Sequence, residues 1–586
     1  MLLQELRRLA GSPEVAADLT REGYARKRVR HLIQLDRDGG FVACVDLAGQ
    51  GRGAARGQEM EVPDVVRSSA TRPLLLADGP DYLFGLDPDP KKAQRAAERH
   101  RAFVELVEDC ARRTGLPEVE AVLRYLREAE PPPGLDPRAE LVTFEVEGRR
   151  VVDLPEVARY WVSRLRPEEG EGALPCLVCG QMAPPARVWP VLIKGIPGGQ
   201  TSGNQLASAN AEAFESYGLK GSRTSPACLD CAAAVGKALN WLLGRDAHHL
   251  RLAGSVFVFW TRDGGHFDLA RLLSDPSPED VRELLQAPWT GRRGATAIEP
   301  ARFFAAELSA SGSRVAVRSW VDTTVPEVRR HVARYLSRLA VVPPAGGEPG
   351  PLGIGSLLRA TARDWQGVHP EAGHDLMQVA LTGAPVPPRL MELVVRRNRA
   401  EQRVTRPRAA LLRLALLASG GDRSDESHDR EEIWMSKLET DEPSPAYLCG
   451  RLLAELEAAQ RAALGRINAT VTDRYYGAAS SSPATVFGPL LRNARHHLAR
   501  LRKDKGAIYQ AIDGRITEIL ARLQGEFPAV LTLKDQARFA LGYYHQKAED
   551  RAAARTRREL REALDDQDEG EETPEDGANR NPQEGE

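Results

Sequence analysis

No apolar run in the chain approaches the roughly 20 residues needed to span a bilayer, and no secretory leader opens it. Both absences predict a soluble, cytoplasmic protein with no membrane partner. Cysteine is sparse, at seven in 586 residues, and Cys44, Cys110 and Cys449 are scattered, which argues against a disulfide-stapled secreted fold. The glycine-rich run at 195–203 is not followed by Gly-Lys-Ser/Thr, so it is not a P-loop. Also missing is a convergent set of histidines and carboxylates with open metal positions, which a metal-dependent nuclease or hydrolase needs. The sequence offers only His374-Asp375 and the pairs His248-His249 and His496-His497. His374-Asp375 lacks further ligands and reads as a solvated pair on the surface.

The near-neutral charge conceals an uneven distribution. From Asp565 onward there are ten acidic residues against one basic, Arg580, a net of −9; set against −2 for the whole chain, this leaves +7 on residues 1–564. The tail, residues 565–586, is too polar to pack and is expected to be disordered. The mildly basic body permits a polyanion partner. By length the chain should hold three or four domains, with apolar content of 42% sufficient for ordinary cores.

What the chain does have is two CxxC pairs, Cys176-Leu-Val-Cys179 and Cys228-Leu-Asp-Cys231, with 48 residues between them. Each short spacing lets two thiolates turn toward one ion, and four sulfurs complete a tetrahedral zinc shell. A filled shell leaves no position for water, so such a zinc is structural. Two disulfides, or two separate redox motifs, are the alternatives. The segment that the cysteines pinch off contains Lys194, Gly198, Gly199, Gln200, Asn204 and Gln205. Glycines permit close backbone approach to a ligand, and amides beside a lysine suit phosphates or base edges. A flexible connector is the bland alternative.

The fold class expected is α+β: a mixed N-terminal domain with a zinc-knuckle insertion, and a C-terminal helical bundle. Residues 1–165 form the N-terminal α+β domain, with Val29–Leu35 and Phe41–Leu47 joined as a hairpin by Asp36-Arg-Asp-Gly-Gly40, and a helix from about Lys91 to Arg113. Residues 166–245 form the knuckle and glycine-rich insertion, and 246–342 the rest of the α+β body. There Ser255–Trp260 and Arg314–Trp320 are strands, and Thr324-Val-Pro-Glu327 is a capping box whose helix buries Val328, Val332, Tyr335, Leu336 and Leu339. Residues 343–442 are linker and helical connector, with a polar, mobile stretch at 419–432. Residues 443–564 form the bundle. Its second helix carries Arg492, Arg495, Arg500, Arg502, Lys503 and Lys505 against one acid, Asp504; the preceding stretch Asn468–Ser482 reads as a hydroxyl-rich loop containing Arg474. A basic face over a buried apolar stripe suits a phosphate backbone; a merely solvated helix has the same composition.

Three stretches carry a family likeness: Lys194-Gly-Ile-Pro-Gly-Gly-Gln-Thr-Ser-Gly, Asn210-Ala-Glu-Ala-Phe-Glu-Ser-Tyr-Gly218, and Ile467 through Thr485. Together with the N-terminal hairpin and Tyr82-Leu-Phe-Gly85, they resemble the large subunit of type I-C CRISPR surveillance complexes (Cascade), a Csd-type CRISPR-associated protein. The likeness extends over the chain apart from the acidic tail. It implies a non-catalytic subunit of an RNA-guided complex, seated with the crRNA beside the handle-binding and backbone subunits. Such a subunit recognises the PAM in double-stranded DNA, aids duplex opening and docks a helicase-nuclease for antiviral defence. It also implies bundle helices like those of the small subunit, which can arise from an internal start; Met391 and Met435 are candidates. Guide pairing supplies specificity, so the protein needs only a short duplex readout and a backbone grip. On that view Lys194, Gly198, Gly199, Gln200, Asn204 and Gln205 meet the duplex, with Arg67 and Arg72 on the same surface. Arg474, Arg492, Arg495 and Lys503 hold the displaced strand through an R-loop. A zinc-stabilised scaffold without nucleic acid contact is the remaining alternative.

Overall fold

The computed structural model describes residues 1–51, 54–67, 71–128, 130–166, 172–215, 217–262, 268–277, 279–280, 284, 301–418 and 434–570, with side chains to 559. The fold is α+β and divides into two compact units, Met1–His266 with Phe304–Asp322, and Phe267–Phe303 with Thr323–Glu586. Residues 246–342 are therefore shared between the two. No helix among the described residues is long and apolar enough to cross a membrane.

In the first unit, α1 (Leu2–Ala10) and α2 (Pro13–Asp18) precede β1 (Tyr24–Val29) and β2 (His31–Leu35). The run expected as one strand from Val29 is thus broken at Arg30, whose N–H turns aside to the carbonyl of Leu141 (2.8 Å). β3 (Phe41–Asp46) returns antiparallel to β2. Their turn forms because Asp36 Oδ1 accepts from the N–H groups of Asp38 (2.9 Å) and Gly40 (2.7 Å) while Gly39 takes φ +88°. β4 (Gln58–Pro63) pairs with β1 as a separate ribbon. After β5 (Ala77–Asp78) come α3 (Pro80–Leu83), α4 (Ala93–Thr114) and α5 (Pro117–Glu128). β6 (Val142–Val146) lies parallel to β2, β7 (Arg149–Arg150) pairs with β6, and α6 (Pro155–Leu165) follows. Helices and sheet share one core through Ile33, Phe103, Val107, Val122, Phe144 and Trp161.

A second core in this unit forms around α7 (Leu229–Leu243), β10 (His249–Leu252) and β11 (Ser255–Thr261), which follow a small hairpin of β8 (Leu174–Pro175) and β9 (Met182–Ala183). After α8 (Leu269–Ser274), which belongs to the second unit, β12 (Arg302–Ser311) and β13 (Arg314–Thr324) complete a sheet ordered β10-β11-β12-β13. Val235, Leu239, Leu242, Val256, Val258 and Phe304 fill the interior between sheet and helix.

In the second unit, the capping box at Thr324 and Glu327 starts α9 (Val325–Leu339), which buries the five apolar residues expected of it. α10 (Ile354–Thr361), α11 (Pro370–Thr382), α12 (Pro388–Glu401) and α13 (Arg406–Ala418) follow. The polar stretch 419–432 lies outside the described residues. The bundle consists of α14 (Pro445–Leu464), α15 (Val471–Ala479), α16 (Pro483–Asp504), α17 (Gly506–Arg522) and α18 (Leu533–Gly570). Two expectations are corrected here. The supposed loop at 468–482 contains the helix α15, because Thr470 and Asp473 cap each other reciprocally (Thr470 N to Asp473 Oδ2, 2.8 Å). The last helix also continues past Asp565 to Gly570, and the rest of the expected disordered tail, 571–586, lies outside the described residues.

α14 is the hub of the bundle and packs against α15, α16, α17 and α18. Beside its apolar stripe it buries charge. Glu457 accepts from Lys547 (2.9 Å), Tyr543 (2.7 Å) and Thr472 (2.7 Å). Burial alone would raise its pKa, but the Lys547 ammonium and these donors bring it down to about 2. Two residues earlier, Glu455 is pushed up to about 7 by burial, despite Arg515 and with Asp550 adding repulsion.

α14 and α18 come together backbone to backbone at two glycines. A Cβ on Gly450 would strike the carbonyl oxygen of Phe539, and one on Gly542 that of Tyr447. Gly450→Ala or Gly542→Ala is therefore expected to cost about 3 kcal/mol by forcing the helices apart, read as a lower midpoint of thermal loss of helical ellipticity. Because the Glu457 pKa is depressed from 4.5, its stabilisation is complete above about pH 4.5 and is lost as pH falls toward 2. Glu457→Gln should lower the melting temperature at pH 7 and remove that part of the acid dependence, as melting curves across pH would show.

Candidate metal centre and glycine-rich loop

The hairpin β8–β9 makes the first half of the cysteine site. Cys176 N–H donates to the Gln181 carbonyl (2.9 Å) and Gly180 N–H to that of Cys176 (2.8 Å), a tight reversal that requires φ +76° at Gly180. The second half is the start of α7, with Cys228 as its N-cap and Cys231 in its first turn. Backbone bonds from Leu177 to Pro226 (2.9 Å) and from Ala186 to Ala227 (2.8 Å) hold the halves together.

The four sulfurs lie within 4.8 Å of one another, with Cys179 and Cys228 at 4.0 Å. A tetrahedron with metal–sulfur bonds of about 2.3 Å has edges of about 3.8 Å, so the set is close enough to bind one metal ion. All four are free thiols gathered at one point rather than split into two bonded pairs. Burial works against ionising the Cys176 thiol, yet the N–H groups of Cys179, Cys228 and Val178 bring it down to about 6. Burial pushes the Cys228 and Cys231 thiols up, and neighbouring sulfurs add to this. One cation shared among them relieves both costs. Cys176 and Cys231 are buried among Val178, Trp189 and Val235, whereas Cys179 is exposed at the rim.

α7 connects this centre to the glycine-rich loop. Nine residues after Cys231, about 14 Å along the helix, the Asn240 amide accepts from Lys194 N–H (3.0 Å) and donates to the Leu192 carbonyl (2.9 Å). Ile193 and Asn204 close the loop by exchanging two backbone bonds of 2.8 Å. Gln205 then joins β13, donating to Ser313 O and accepting from Val315 N–H (2.9 Å each). Arg251 holds the Gly195 carbonyl (2.7 Å). Asn240 and Arg251 carry no signal in the local sequence, because they come from elements distant along the chain.

The structure separates the expected contact residues. Lys194, Gly198 and Gln200 are exposed on the loop, and Gly199 is half-buried. Asn204 is buried: its carbonyl oxygen accepts from Gln200 N–H (3.1 Å) and its amide donates to Gly312 O (3.0 Å), so it braces the loop from inside instead of facing a ligand. Gln205 is half-buried and engaged in the bridge to β13. Arg67 is bound to the buried Asp78 and lies 4.4 Å over the Tyr82 ring, so it too has an internal role. Arg72 is half-buried. In the second unit Arg474 is exposed on α15, and Arg492, Arg495, Arg502 and Lys503 are exposed on α16, opposite the stripe of Phe487, Leu490, Ala494 and Leu501. None of these five has a hydrogen-bond or ion-pair partner among the described residues, whereas Arg500 pairs with Asp504 (3.6 Å) and Lys505 holds Ala462 O (2.9 Å).

His374-Asp375, expected to be solvated, is corrected: Asp375 is buried and receives a two-pronged bond from Arg389. The cysteine centre is the sole grouping of three or more potential His, Cys, Asp or Glu ligands among the described residues.

The profile of the family described as CRISPR-associated protein (Csd1) matches residues 2–550. The chain belongs to the Csd1 family of CRISPR-associated proteins. No curated protein sequence matches it. Within this Csd1-family chain the matched span takes in the cysteine centre, the glycine-rich loop and the bundle into the first half of α18. A tetrathiolate centre predicts that the Csd1-family protein, refolded with cobalt(II), shows intense thiolate-to-metal charge-transfer absorption at one metal per chain. Cys176→Ser or Cys231→Ser should abolish the band and loosen the loop against proteolysis.

Proposed function

We propose that this chain is the non-catalytic large subunit of an RNA-guided type I-C surveillance complex, recognising the PAM in duplex DNA and stabilising the R-loop. The family match over residues 2–550 is the observation that carries the reading. In it, zinc at Cys176, Cys179, Cys228 and Cys231 is a structural cross-link: four protein sulfurs leave no coordination position for substrate. The centre fixes α7, and α7 holds the loop that presents Lys194, Gly198, Gly199 and Gln200. An ammonium, a side-chain amide and glycine backbone suit phosphates and groove edges of a short duplex; Arg72 is a further candidate. Asn204 and Gln205 support these contacts from within, and Arg67, held by Asp78, is not among them. The cationic face of α16, with Arg492, Arg495, Arg502 and Lys503 and with Arg474 on α15, suits the phosphates of the displaced strand.

The crRNA, the handle-binding and backbone subunits, and the helicase-nuclease are partners implied by membership of the family. A small subunit begun internally at Met391 or Met435 would retain all of α14 to α18. The nuclease alternative has less support, since Arg389 engages the Asp375 carboxylate on both oxygens.

The test uses the assembled complex. Lys194→Ala with Gln200→Ala should weaken binding of a PAM-containing duplex about 10-fold or more while crRNA and neighbouring subunits still co-purify; undiminished binding would remove the loop from the duplex. Alanine at Arg492, Arg495 and Lys503 should weaken single-strand retention and flatten the fall of log affinity with log salt by about 0.7 for each phosphate no longer neutralised. An unchanged slope in filter binding would make that helix a solvated face and no more.

A further inference from the structure

Residues 210–218 carry one of the chain's most distinctive patterns, and nothing above uses Tyr217. The residue is 99% exposed, more than any other large apolar or aromatic residue among those described. Its backbone sits at φ +54°, with Gly218 following at +72°. That conformation is unfavourable for a bulky aromatic residue, and here no buried contact offsets it.

The ring nevertheless projects from an anchored base. Phe214 N–H donates to Ala211 O and Glu215 N–H to Glu212 O (2.9 Å each), forming a short 3-10 turn. The Phe214 ring lies 3.8 Å from the guanidinium of Arg314, which also donates to Ser208 O (3.0 Å) and to Asn210. On the far side, Gly221 N–H donates to the Glu215 carboxylate (3.4 Å). After Tyr217 come two exposed cations, Lys220 and Arg223, the latter also donating to Gly172 O (3.4 Å), while the acids of the segment, Glu212 and Glu215, precede the ring and the Glu215 carboxylate is engaged by Gly221. A solvent-facing ring with a hydroxyl at its tip, followed three and six residues on by cations, suits a nucleobase with its phosphates. Every base offers a π-face, and cations close by meet the backbone.

We propose that Tyr217 is a base-stacking residue, taking the face of a nucleobase released from its stack where the target duplex starts to open, with Lys220 and Arg223 meeting the adjoining phosphates. This rests on the reading of the neighbouring glycine-rich loop as duplex-facing. The ring lies in the same cysteine-bounded segment, and capturing an unstacked base makes opening easier without reading its identity.

The assembled complex is tested on two targets of the same sequence, one fully paired and one with a pre-opened mismatched bubble. Opening is followed by 2-aminopurine fluorescence. Tyr217→Ala should slow opening of the paired target about 10- to 100-fold and leave the bubble target at the wild-type rate. Tyr217→Phe and Tyr217→Trp should retain function, while Tyr217→Leu, bulky but without a π-face, should behave as alanine. The proposal is overturned if alanine opens the paired target normally, if leucine equals phenylalanine, if both targets slow equally, or if the alanine complex fails to assemble, which would make Tyr217 a contact to a protein subunit. Lys194→Ala with Gln200→Ala runs alongside. Normal binding by that variant refutes the duplex-facing loop, whereas impaired binding together with normal opening by Tyr217→Ala refutes the stacking role alone.

Discussion

Everything proposed for the first unit depends on four sulfurs being held at one point. Without a cation, burial and neighbouring sulfurs keep the Cys228 and Cys231 thiols protonated while backbone N–H groups favour ionising Cys176. With one, the hairpin of β8 and β9 is fastened to the first turn of α7. The helix transmits that constraint to Asn240, whose single amide fixes the carbonyl before Ile193 and the N–H after it. A loop so rich in glycine has much conformational entropy to lose on binding. Holding both its ends and bracing its middle with Asn204 removes most of that loss in advance.

The second unit solves a different problem. α14 is buried nearly all round, so its charged residues need partners from the helices around it. Glu455 and Glu457 are two residues apart and point into different surroundings. Glu457 has an ammonium and two hydroxyls and stays firmly ionised, whereas Glu455, more deeply buried, is pushed up despite the guanidinium of Arg515 bonded to it, with Asp550 a competing carboxylate. Such pairs contribute less to net stability than to uniqueness of packing, since a shifted helix would strand a buried charge. The glycines at 450 and 542 serve the same end by letting the α14 and α18 backbones touch. On one face of α16 the bundle carries Arg492, Arg495, Arg502 and Lys503, which have no ion-pair partner among the described residues and whose mutual repulsion it must tolerate.

Much of this was legible because local chemistry dictates it. CxxC spacing is a statement about how far two thiolates can reach, so spacing alone names four cysteines able to gather at one point, as they do. Thr324 and Glu327 announce a helix start, and Asp36 through Gly40 a reversal, since each satisfies its own backbone groups within five residues. Local reading failed where a signal was read too weakly or where the partner was remote. The capping pair Thr470 and Asp473 was present in the hydroxyl-rich stretch before α16, yet small residues suggested a loop. Asp375 looked solvated because Arg389, fourteen residues on, reaches back to it from the first turn of the next helix.

The sequence by itself determined the family, the four cysteines that come close enough to bind one metal ion, the alternation of apolar and polar residues that makes the fold α+β, and the cationic character of α16. These are properties of spacing and composition, which survive without a third dimension. Only the tertiary structure decided which polar side chains remain available to a ligand. Asn204 and Lys194 are equally plausible DNA contacts when read in a row. One is turned inward because Gly312 and Gln200 present it with a carbonyl and an N–H, and the other is left in solvent with its charge unspent.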